Sequence, residues 1–62
     1  MELSTNATTK YVGCDRAGIP RVWGEAKQDD VAYTECRRAV EEYVRRRPDT
    51  APASAWLIEK TT

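Results

Sequence analysis

Apolar and polar residues alternate through much of the chain up to Ala26, and from Val31 the apolar positions recur every three or four residues. A change from period two to period 3.6 predicts strands followed by a helix. "TTKYVGC" (8–14) is rich in β-branched and aromatic residues and reads as a first strand. "DRAG" follows, with Asp first and Gly fourth, the residue preference of a type I turn. "IPRVWGEA" (19–26) reads as the return strand, so the two segments form a hairpin.

After the hairpin, "KQDD" breaks the alternation. Asp29 or Asp30 can cap a helix by accepting hydrogen bonds from its free N–H groups, and either suits the positive end of the helix dipole. Ala32, Cys36, Ala39, Val40 and Tyr43 then form one stripe, widened by Val44. Glu35, Arg37, Arg38, Glu41, Glu42, Arg45 and Arg46 lie opposite. Glu41–Arg45 and Glu42–Arg46 have the acid-first order at four-residue spacing that supports a helix. Pro48 disfavours helical geometry at Arg47, so the helix is expected to end there.

"PDTAPASA" (48–55) reads as a loop and "AWLIEK" (55–60) as a last strand. Residues 1–8 are polar and small apart from Met1 and Leu3 and read as a mobile arm, leaving 9–60 as a single α+β domain. The order is β-β-α-β. Pro20 cannot donate to a ladder, which places the second strand at an edge. The expected architecture is a three-stranded antiparallel sheet of order 2-1-3, with one helix packed on one face.

Alternation divides the hairpin into two faces. Val12, Cys14, Val22, Gly24 and Ala26 lack charges and best match the helix stripe. That choice leaves Tyr11, Gly13, Ile19, Arg21, Trp23 and Glu25 on an open face. Tyr11 and Trp23 beside Arg21 would then suit an oligomer interface or base stacking. A one-residue slip of register exchanges the faces and returns Trp23 to the core. In the last strand, Trp56 and Ile58 lie opposite Leu57.

A chain of 62 residues holds one small domain with a marginal core, so a partner subunit is a reasonable source of added stability. Ten basic and ten acidic side chains balance to zero net charge, which removes long-range attraction to a polyanion and favours association. Histidine is absent, so the commonest general base and metal ligand is missing. Two cysteines without histidine are too few for a zinc site. Cys14 and Cys36 are both assigned to the core, and two free thiols are expected rather than a disulfide. No carboxylate pair, phosphate loop or activated nucleophile is recognisable, so no enzyme and no cofactor are expected. "MELSTNATTK" has neither a basic n-region nor an apolar h-region, and no apolar run could cross a bilayer. A cytoplasmic setting is the expectation, and Asn6 in "NAT" is then not a glycosylation site.

Arg45, Arg46 and Arg47 close the helix, where cations favour the carbonyl end by about 0.3–1 kcal/mol each. With Arg37 and Arg38 they also form a local basic region that a phosphate or an acidic surface could use. No motif identifies a family. The reading is a small non-enzymatic interaction module, self-associating as a homodimer or docking on a protein through its sheet. The alternative is a nucleic-acid-binding module. Its candidate residues are the same: Tyr11, Arg21, Trp23, Arg37, Arg38, Arg45, Arg46 and Arg47.

Overall fold

A computed structural model describes residues 8–61 of the chain. Strands β1 (Thr9–Cys14) and β2 (Pro20–Ala26) form the hairpin, helix α1 (Asp29–Arg46) follows, and strand β3 (Leu57–Lys60) closes the domain. The sheet has order β2-β1-β3, and both pairings are antiparallel. The expected α+β architecture is therefore present, with β1 central and Pro20 on an edge strand. The expected mobile arm lies, except for Thr8, outside the described residues. Ala53–Ala55 form a short 3-10 turn inside the expected loop, so β3 starts two residues later than its sequence suggested.

Asp15 builds the hairpin turn. Its carbonyl accepts from the Gly18 N–H at 2.9 Å, and its carboxylate accepts from the N–H groups of Ala17 and Ile19. Gly18 has a φ of 81°, a conformation only glycine adopts without strain. The register then shifts between Gly13 and Cys14: Gly13 pairs with Val22, but Cys14 pairs with Pro20, so Arg21 has no partner across β1. That irregularity changes the face assignment. Gly13 points at the helix, because a Cβ there would lie 2.6 Å from Val40 Cγ2 and 3.6 Å from Cys36 Sγ. Alternation puts Tyr11 on the helix side as well, and Val12 on the opposite side with Trp23, its partner across the ladder. The assignment made from sequence was thus right for Val22, Gly24, Trp23 and Glu25 and wrong for β1. Tyr11 and Gly13 were expected on the open face, and Val12 and Cys14 in the helix-side core.

The helix buries Ala32, Cys36 and Val40, three positions of the expected stripe. Small residues let it sit almost on the β2 backbone at Gly24. Val12 and Trp56 complete the buried apolar set among the described residues. Trp56 meets Tyr43 edge-to-face at 5.2 Å between ring centroids, and its Nε1 donates to the Ala51 carbonyl at 3.2 Å. This contact ties the start of β3 to the end of α1.

Two details of the helix differ from expectation. Gln28 is the N-cap and makes no side-chain capping bond. Asp29 is instead the first helical residue, and its carboxylate accepts from Tyr11 and Lys60. The surface ion pairs are Arg37–Glu41 at 3.4 Å and Arg45–Glu42 at 3.3 Å, replacing the expected Glu41–Arg45 and Glu42–Arg46. All four side chains are at least half exposed, so choosing one pairing over the other costs little. Helix α1 ends at Arg46, and the Arg47 N–H closes the last turn on the Tyr43 and Val44 carbonyls just before Pro48.

Candidate interaction surface

One face of the sheet carries the helix. Alternation assigns Lys10, Val12 and Cys14 of β1, Trp23 and Glu25 of β2, and Leu57 and Glu59 of β3 to the other. Trp23 is 53% exposed and Leu57 is 56% exposed. Trp23 lies directly across from Val12, and Leu57 across from Cys14. Lys10 and Glu25 are opposed in charge at the end of this face. The centre of the open face is therefore an apolar strip framed by charges, not the aromatic and basic patch expected from sequence.

Of the candidate residues, only Trp23 combines exposure with a secure place on the open face. Tyr11 is half-buried on the helix side, edge-to-face with Tyr33 at 5.5 Å. Arg21 sits at the register shift, and its Nε donates to the Asp15 carboxylate at 3.0 Å. Arg37 pairs with Glu41 and Arg45 with Glu42. Arg47 stacks over the Tyr43 ring at 4.7 Å. Arg46 and Arg47 border a 380 Å³ hollow beside Val22 and Tyr43, whereas Arg38 borders a different groove along β2. The helix-end arginines thus have separate local engagements. Their tract does not converge with Trp23 on one surface.

Sequence reasoning missed the contact that joins three elements. The Tyr11 hydroxyl donates to Asp29 Oδ1 at 2.5 Å, and Lys60 Nζ donates to Asp29 Oδ2 at 2.8 Å. The Lys60 ammonium and then the Tyr11 hydroxyl hold the Asp29 carboxyl below its ordinary range. Asp29 in turn raises both Tyr11 and Lys60. Asp15 is also lowered, first by the Ile19 N–H and then by Arg21. A lowered folded pKa adds stability above the unfolded value of about 3.9, and that stability is lost as pH falls through the folded value. The raised Tyr11 and Lys60 add stability below their unfolded values of about 10, lost as pH rises through the folded ones. Asp29→Asn should therefore melt below the wild type at neutral pH, and the difference should vanish in strong acid. Melting curves across pH check this; an equal difference at every pH would show that the carboxylate charge is not involved.

Cys14 and Cys36 are both free thiols in this structure. Cys36 is fully buried, and burial pushes its thiol above the usual range, with a smaller contribution from Cys14. Cys14 is half-buried and pairs across from the exposed Leu57, which places it away from the helix-side core to which it was assigned. Among the described residues no cluster of three or more His, Cys, Asp or Glu could hold a metal ion, and no helix is long and apolar enough to cross a membrane. Comparison of the chain with known protein families, with curated proteins and with solved structures gives no match.

Proposed function

We propose that this chain is a small non-enzymatic interaction module that associates with a second copy of itself through its sheet. The observation that carries this reading is Trp23, 53% exposed beside Val12 on the face that the helix leaves uncovered. Tryptophan is the residue type most enriched among the anchors of protein interfaces. Zero net charge opposes association with no long-range repulsion. The small buried set, Val12, Ala32, Cys36, Val40 and Trp56, leaves a domain that gains from further burial. Two free thiols suit a reducing, cytoplasmic setting.

Sedimentation equilibrium tests the reading. The wild type should be dimeric at micromolar concentration, and Trp23→Ala should weaken the dimer by about 2 kcal/mol or more, the usual cost of truncating an interface anchor. A wild type that stays monomeric at high micromolar concentration overturns the proposal. Salt-sensitive binding to unrelated DNA or RNA, lost when Arg45, Arg46 and Arg47 become glutamine, would replace it with the nucleic-acid reading.

A further inference from the structure

The sheet has two edges, and they differ. β3 has four residues and ends in Glu59 and Lys60. Short, charged edges resist pairing with another chain. β2 has seven residues, and only its beginning is protected, by Pro20 and by the register shift at Arg21. From Val22 to Ala26 its outer edge is a regular strand with no such protection. Beside that edge runs a 420 Å³ groove whose lining includes Trp23, Gly24, Val31, Glu35, Arg38 and Glu42.

We propose that two copies pair antiparallel along β2, about a two-fold axis normal to the sheet that passes midway between the two facing Trp23 residues. This pairing presupposes the self-association proposed above and specifies its surface and register. The segment "VWG" (22–24) maps onto its own copy under that axis. Val22 comes opposite Gly24 of the partner subunit, and Trp23 opposite Trp23 of the partner subunit. Each element of the interface then meets its own copy, as a two-fold dimer requires.

The helix carries the charge match. Val31, Glu35, Arg38 and Glu42 are spaced by four, three and four residues, one stripe along the groove beside β2. The same axis sets the two helices antiparallel on the same side of the joined sheet. Glu35 then faces Arg38 of the partner subunit, and Arg38 faces Glu35 of the partner subunit. The heights agree. Gly24 lies against Ala32 and Cys36, and Val22 shares a hollow with Ala39 and Tyr43. Trp23 therefore sits level with the middle of the helix, close to the midpoint between Glu35 and Arg38. One axis thus pairs the regular part of β2 with itself and sets opposite charges together on the two helices, and the partner that fits is a second copy of this chain.

Charge reversal at the exposed helix positions tests the register. Glu35→Arg alone puts arginine against arginine, and Arg38→Glu alone puts glutamate against glutamate. Each variant should dimerise about tenfold more weakly than the wild type, since like charges placed opposite destabilise a pairing. Mixing the two variants should restore a heterodimer of wild-type strength, because each mismatch is cancelled by the other chain. Sedimentation of each protein alone and of the mixture, with circular dichroism to confirm folding, reads the result. Single variants that dimerise like the wild type, or a mixture no tighter than its components, would overturn the β2 pairing. Self-association would still stand in that case if Trp23→Ala dissolved the dimer. A monomeric wild type would overturn both.

Discussion

A Gly24→Ala variant is expected to lose its cooperative melting transition near physiological temperature. A methyl group at Gly24 would lie 2.2 Å from the Cys36 N, 2.6 Å from the Cys36 Cα and 2.7 Å from the Ala32 carbonyl oxygen. All three are helix backbone atoms, so no side-chain rotation relieves the overlap. The helix must lift away from β2, which separates Ala32, Cys36 and Val40 from the sheet. Overpacking usually costs about 1–3 kcal/mol, and a rigid backbone contact belongs at or above the top of that range. Domains of this size have about 3–5 kcal/mol from their core in total, so most of the folded population should disappear. Gly13→Ala provides an internal comparison. Its nearest obstacles are the Val40 and Val22 Cγ2 atoms at 2.6 and 2.8 Å, ends of side chains that can shift, and its effect should be smaller. Thermal unfolding followed by circular dichroism ranks the two. A Gly24→Ala protein that melts near the wild-type temperature would contradict the close seating of the helix.

Trp56→Ala should be of similar severity by a different route. Trp56 is 8% exposed, packs on Tyr43 and donates to the Ala51 carbonyl. Removing it empties the space between the helix end and β3 and leaves that carbonyl without its indole partner. Truncations of buried aromatics cost about 3–5 kcal/mol. Trp23→Ala should hardly alter the stability of a single copy, because that ring is more than half exposed. Urea unfolding at low protein concentration separates the two tryptophans. Equal losses from both variants would mean that Trp23 is as much a part of the monomer core as Trp56.

Much of the candidate surface was legible as composition and little of it as geometry. Trp23 could be singled out because a large aromatic in "RVWGE" alternates with Val22 and Gly24, and only one of those two sets can face the helix. The arginine tract could be seen but its disposition could not. Whether Arg45 turns to Glu42 or Glu41, and whether Arg47 stacks on Tyr43, depends on small differences among exposed rotamers. The link of Asp29 to Tyr11 and Lys60 joins residues 18 and 31 positions apart and has no local signature.

The chain's own pattern determined the element order, the helix limits and the strand order. Helical periodicity, the turn residues around Gly18 and the missing N–H of Pro20 are local properties that hold before any tertiary contact forms. Only the tertiary structure decided which side of β1 meets the helix. "YVGC" is apolar at Tyr11, Val12 and Cys14, so its alternation has no phase of its own. The phase came from the register shift at Arg21 and from the helix, which needs a residue without a side chain beneath Val40. Gly13 meets that need and Val12 does not, so Gly13 turned inward and carried Tyr11 with it, leaving Val12 beside Trp23 on the open face.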